Sequence, residues 1–183
     1  MDVFECIFGR RSCRRFKADA VAREDLERMI DAGRYVPTGY NKQAVRFAVI
    51  ASPEKVAETF QFTGWLTGTP PEHEQPTAYI VVLSDSGLGV DGTGARCAAY
   101  AIMLAAHALG YGSCWHGREN NEEFKAFLGL PAQYEPHILI SLGRSAETSE
   151  VHDPATEWKI RKDDAGVIHV PKRGREEVTV AVL

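Results

Sequence analysis

Stretches of strand character alternate with stretches of helical period along this chain, which predicts an α+β or α/β layered domain. Three observations carry that prediction. Residues 78–84 (AYIVVLS) form an unbroken apolar run of strand length, residues 93–109 form an Ala-rich run of helix length, and residues 178–183 (VTVAVL) strongly favour β structure.

The remaining elements follow in order. Asp2 is a natural N-cap for a short helix over residues 3–8. Leu26, Met29, Ile30 and Gly33 recur at helical spacing within 24–35, so that helix turns one face inward. Residues 46–51 read as a strand, and Pro53 opens an amphipathic helix through Val56, Ala57 and Phe60. Residues 67–77, with three prolines and a glycine, read as loop. After the 78–84 strand, Gly87, Gly89 and Gly92 match GxGxxG, but no acidic residue stands about twenty positions on and no βαβ unit opens the chain. These glycines are read as loop. The helix over 93–109 is small and apolar on nearly every face, which suits a central core helix or one at a dimer interface. Asn120 or Asn121 caps a helix through Phe124, Phe127 and Leu128, Pro131 ends that unit, and residues 137–143 are a buried strand. The polar stretch 144–166 reads as surface loop, residues 167–170 are apolar again, and 171–175 is a second basic cluster. The terminal run 178–183 must pair with a sheet, its own or a partner's, since an unpaired apolar strand invites aggregation.

A length of 183 residues fits one domain, expected here over 1–183, and its 44% hydrophobic content is ordinary for a globular chain. No apolar run approaches a membrane span and the N-terminus lacks a signal-peptide core, so a cytoplasmic location is expected. Cys6, Cys13, Cys97 and Cys114 show no CxxC spacing and read as reduced thiols. The six histidines show neither HxxxH nor HExxH, so no metal is expected. Cys114 and His116 could be imagined as a nucleophile and its base, but sequence identifies no third group to orient them.

Arg10, Arg11, Ser12, Arg14 and Arg15 crowd into six residues ahead of Phe16. Planar, permanently charged guanidiniums and a hydroxyl suit a phosphate. The same run would also serve as a solvated patch or as a contact for nucleic acid or an anionic membrane. With 21 Lys and Arg against 25 Asp and Glu, the net charge of −4 argues against nucleic acid.

The motif RRSCRRF, an amphipathic helix, the turn PTGYNKQ over 37–43 and a following strand resemble the nitroreductase-type flavoproteins. The LGYGSCW segment at 109–115 resembles that family's turn after its long helix. The resemblance spans essentially the whole chain. It implies an α+β fold with a mixed sheet flanked by helices, and an intertwined homodimer with FMN at the interface. In that dimer the C-terminal extension 167–183 reaches the partner and its strand extends the partner's sheet. By the same resemblance Arg10, Arg11, Ser12 and Arg14 contact FMN. Arg14 is the candidate beside flavin N1 and O2, where a fixed cation offsets the charge that reduction places there. Thr38, Gly39, Asn41 and Gln43 match the turn bordering the flavin, in many members from the neighbouring subunit. Trp115, His116 and Gly117 match the segment whose backbone faces the isoalloxazine, and Lys172 and Arg173 match late basic residues that close on the phosphate.

The activity implied is hydride transfer from NADH or NADPH through FMN to a small acceptor such as a nitro compound or quinone. No protein acid, base or nucleophile is strictly required. Two departures stand out: Ala44-Val45 replaces the family's common Pro-Trp after NxQ, and the segment before Tyr79 is short and Pro-rich. Trp65, Leu66, His73 and Tyr40 are candidate liners of the site. Alternatives are a specialised branch of the family (dehalogenation, dipeptide oxidation or flavin fragmentation) and a non-catalytic flavin-binding protein.

Overall fold

A computed structural model describes residues 1–66, 68–118, 121–153 and 156–182. The chain divides into two compact units, Met1–Ser145 and Ala146–Leu183.

The N-terminal unit is built on a four-stranded sheet of β1 (Val45–Ile50), β2 (Ala78–Asp85), β3 (Gly112–Gly117) and β4 (Tyr134–Gly143), in the order β1-β2-β4-β3. Neighbouring strands are antiparallel throughout. Mixed pairing arises at the outer edge of β3, where Ser12 makes a parallel bridge to Ser113. The two central strands are apolar at successive positions because helices cover both faces. On one face Ile80, Val82, Ile138, Ile140 and Leu142 pack with α2 (Arg23–Arg34) and α4 (Gly92–Ala108) through Leu26, Met29, Ala98, Ala99 and Ile102. On the other, Tyr79, Val81, Leu83 and Leu139 meet α3 (Pro53–Thr59) through Val56, the 3-10 turn Phe60–Phe62 that follows it through Phe62, and α5 (Glu122–Leu128) through Phe124.

The helices begin where their caps dictate. Asp2 caps α1 (Val3–Gly9) in a reciprocal capping box with Glu5, Asp91 caps α4 by accepting from Gly94 N, and Asn121 caps α5 by accepting from Phe124 N. Asn120, the alternative cap, lies outside the described residues. The Ala-rich α4 is a core helix along Ala95, Ala98, Ala99, Ile102 and Ala106, while Arg96, Cys97 and Tyr100 on its far side are exposed. Its small side chains admit close neighbours, and a Cβ on Gly33 of α2 would stand 3.0 Å from Ile102.

Three segments differ from the sequence reading. The segment 109–115, expected as a turn, enters the strand β3 at Gly112, because the apolar ladder of β4 offers it a partner. In the C-terminal unit the polar stretch expected as loop contains β5 (Ser149–His152) and β6 (Arg161–Lys162), which pair parallel and antiparallel with β7 (Ile168–Pro171). Among the described residues the terminal run forms no strand. Arg175–Val178 is a short helix, α6, and residues 179–182 follow it with Val180 and Val182 almost wholly exposed. Backbone propensity alone does not make a strand; a ladder partner is needed, and among the described residues none pairs with 179–182. Leu183 lies outside the described residues.

Candidate functional site

The arginine segment lies along the outer edge of β3. Cys13 N donates to Ser113 O at 2.8 Å, which fixes the segment as a partial fifth strand. Gly112 makes this approach possible, since a Cβ there would fall 2.7 Å from Cys13. Arg10 ends α1, and its guanidinium lies 5.9 Å from the Tyr100 ring centroid on α4. Arg11 donates to Arg10 O, and Arg14 is buried at 8% exposure. Arg15, by contrast, is committed to Glu74 at 2.5 Å.

Among the described residues no carboxylate pairs with Arg10 or Arg11, and the Nε atoms of both are buried without a hydrogen-bond partner. Burial and the neighbouring Arg10 pull the Arg11 pKa below its ordinary value. Unpartnered buried donors carrying like charge cost free energy unless an anion meets them. The segment is therefore set up for a phosphate-like ligand.

Arg118, which sequence reasoning missed, adds positive charge beside His116 at the end of β3, as Arg14 does. Its Nε is also buried without a hydrogen-bond partner among the described residues, and burial lowers its pKa. Its position directly after Trp-His-Gly was the available signal.

His116 is a structural histidine. Its Nδ1 accepts from Gly64 N at 3.4 Å, so Nε2 carries the proton and donates to Ser141 Oγ at 2.8 Å. The Trp65 ring, stacked on Phe60, meets it edge-on at 5.0 Å. Burial first, then the charge of Arg118 and, more weakly, Arg14, lower its pKa to about 4. Cys114 shares its face of β3, but both ring nitrogens are taken, which removes the nucleophile–base pairing. The Trp115 side chain packs into the α2/α4 core. Arg118 N bonds to β4 through His137 O, so in the alternation of an antiparallel ladder the backbone groups of Trp115 and Gly117 project from the outer edge, as those of Ser113 do. Among the described residues, apart from its chain neighbours, no atom stands within 4 Å of a Cβ built on Gly117.

The turn at 38–43 lies elsewhere. Thr38 Oγ1 accepts from Gln43 N at 3.1 Å, and Tyr40, Asn41 and Gln43 hold left-handed φ values of 52°, 53° and 50°. Such strain in non-glycine residues gathers at ligand-binding segments. Gly39, Tyr40, Lys42 and Ala44 line a cavity of about 190 Å³ with Leu88, Gly89, Val90 and Asp91, which places the GxGxxG loop as its other wall. Because the turn leads into β1 and Ser12 bridges the outer edge of β3, the two stand at opposite edges of the sheet, four strand spacings or about 19 Å apart. Register adds to this: Ser113 lies level with Leu142 and Ala78, near the end of β1, whereas the turn precedes its start. Within one chain the turn and the arginines do not converge.

Of the other candidate liners, Tyr40 and Leu66 are exposed, as is His73, and Trp65 keeps a buried, unpartnered Nε1. Lys172 and Arg173 belong to the C-terminal unit, where Arg173 pairs with Glu177 and stacks 4.0 Å over Trp158.

The profile of the Nitroreductase family matches residues 7–82 and 91–144. The chain belongs to the nitroreductase family, and is an oxidoreductase by that membership. A relative from Methanothermobacter thermautotrophicus, named "Putative NADH dehydrogenase/NAD(P)H nitroreductase", is 29% identical over 168 residues, covering 84% of each chain. A solved FMN-dependent nitroreductase from Clostridium difficile R20291 is 26% identical with a TM-score of 0.69, over 79% of this chain and 88% of that one. A nitroreductase-fold structure from Desulfovibrio desulfuricans, solved with FMN, shares the fold at a TM-score of 0.72 and 23% identity, over 100% of this chain and 98% of that one.

Proposed function

We propose that this nitroreductase-family protein binds FMN and uses NADH or NADPH to reduce a small acceptor such as a nitro compound or quinone. The observation that carries the reading is the pair of buried, unpartnered Nε atoms on Arg10 and Arg11 beside the edge of β3. A dianionic phosphate satisfies such donors, with Ser12 adding a neutral one. When bound, FMN would supply the hydride and electron carriage in a ping-pong cycle. The chain's own contribution is binding and orientation: the arginines fix the phosphate and ribityl end, Arg14 supplies a cation on the flavin O2 side, and the outward backbone of Trp115 and Gly117 offers donors and acceptors to the ring edge. His116, neutral above about pH 5, anchors the β3 backbone from behind and donates no proton to substrate.

The reading includes a homodimer. Thr38, Gly39, Asn41 and Gln43 meet a flavin held by Arg10–Arg14 only if they come from the other subunit, because in one chain they occupy the opposite sheet edge. The open edge of β1 and the exposed Val180 and Val182 support exchange of the C-terminal tail onto a partner's sheet. A cytoplasmic location fits the same reading; among the described residues no helix is long and apolar enough to cross a membrane.

The test is steady-state oxidation of NADH and of NADPH by FMN-loaded protein, with a quinone or nitroarene as acceptor. Parallel double-reciprocal lines support the reading; flavin that stays oxidised with both donors overturns it.

A further inference from the structure

The C-terminal unit contains a cluster that the flavin reading does not use. Glu150 and His152 stand two apart on β5 and so share a face, and in the parallel pairing with β7 Glu150 lies opposite His169. His152 Nε2 faces His169 Nδ1 at 2.8 Å, and Glu150 Oε2 lies 3.9 Å from the same nitrogen. These three ligand atoms all lie within 4.8 Å of one another.

The second ring nitrogen of His169 is already fixed. Asp163, in the β6–β7 hairpin, accepts from His169 Nε2 at 2.9 Å through Oδ2, and from Val167 N at 2.8 Å through Oδ1. Its carboxylate therefore holds the His169 proton on Nε2 and leaves the Nδ1 lone pair aimed at His152. A carboxylate behind a histidine in this way is the arrangement that orients and strengthens metal-ligating imidazoles. His152 reaches the same state by moving its proton to Nδ1.

The unit also needs a staple. Below about 40 residues a folded unit seldom builds a sufficient core and relies on a metal, disulfides or a partner. Among the described residues of Ala146–Leu183, only Ile168 and His169 are buried.

We infer that Glu150, His152 and His169 bind one divalent transition-metal ion of the zinc type, with Asp163 as the orienting carboxylate. Two imidazoles and one carboxylate favour Zn²⁺ over Mg²⁺ or Ca²⁺. Tetrahedral ligation at about 2.0–2.1 Å sets the nitrogens roughly 3.3 Å apart, so His152, which is exposed, needs to swing by only about 0.5 Å. The fourth position opens to a cavity of about 290 Å³ lined also by Thr156, Glu157, Lys159 and Arg161, leaving room for water or a small anion. Lys159 and Arg161 oppose a cation by charge, and Glu150, Glu157 and Asp163 offset them. No metal-type spacing marks these ligands, because His169 joins Glu150 and His152 only through strand pairing.

The test titrates metal-stripped, tag-free full-length protein with Zn²⁺ against a chromophoric chelator, with and without FMN, and repeats the titration with Co²⁺ to read its visible spectrum. One equivalent per chain is expected, with nitrogen and oxygen ligation and no thiolate charge-transfer band. H152Q, at an exposed position, should weaken binding by about 100-fold, and D163N by about 10–100-fold. Affinity unchanged in H152Q, absence of a stoichiometric site, or a thiolate band lost in C97S would overturn the assignment. The readout is metal stoichiometry, so it stands or falls separately from flavin binding.

Discussion

Acid should destabilise this fold through one identifiable side chain, His116. Its pKa is about 4 in the folded protein against an ordinary value near 6.5, chiefly because burial removes water from the ring. Between those values the unfolded chain binds the proton and the folded one does not, so unfolding gains ground as pH falls. The stabilisation is complete above about pH 6.5 and lost below about pH 4. A shift of this size corresponds to about 3 kcal/mol at full titration, of which roughly 2.5 kcal/mol is lost between pH 7 and pH 4.5. The perturbation is H116Q, which keeps an amide for Ser141 or Gly64 but does not titrate. Urea unfolding followed by tryptophan fluorescence, at fixed protein concentration, gives the stability of both proteins at each pH. The variant should be less stable at pH 7, and the gap should close by about 2–3 kcal/mol at pH 4.5. A gap that stays constant across that range would refute the assignment of a buried, neutral His116.

Further expectations concern cofactor, assembly and packing. R10A and R14A should each weaken FMN retention by tenfold or more with far-UV circular dichroism unchanged, read by flavin fluorescence titration. Deleting residues 178–183 should lower dimerisation and FMN affinity together, measured by sedimentation and by the same titration; loss of neither would remove the tail from the interface. G143A should cost about 1–3 kcal/mol in urea unfolding, because a Cβ there would stand 2.9 Å from the buried Phe16 ring. F124A, which empties the α5 side of the sheet, should cost about 3–5 kcal/mol.

What the sequence disclosed, and what it hid, follows the range of the forces involved. The 78–84 run was legible because a strand buried on both faces is apolar at every position. The α1 cap was legible because Asp2 and the backbone it binds are neighbours. Gly112–Gly117 was hidden because Gly-Ser-Cys-Trp-His-Gly has little strand character of its own and acquires it from β4. β5 and β6 were hidden for the same reason, as short polar strands defined by β7. The arginine cluster could be read as an anion site from its composition, but that Arg14 and Arg118 both bear on His116 follows from the course of β3. The turn at 38–43 was readable as a special loop, whereas its place at the far edge of the sheet from Ser12 is a property of strand order that no local pattern contains.

The central claim is that the edge of β3 holds FMN, and an absorbance spectrum tests it most directly. Purified protein, incubated with FMN and desalted, should keep about one flavin per chain and lose its oxidised-flavin bands when NADH or NADPH is added anaerobically. Protein that emerges colourless, with Arg10, Arg11 and Arg14 intact and the fold verified, would contradict the account.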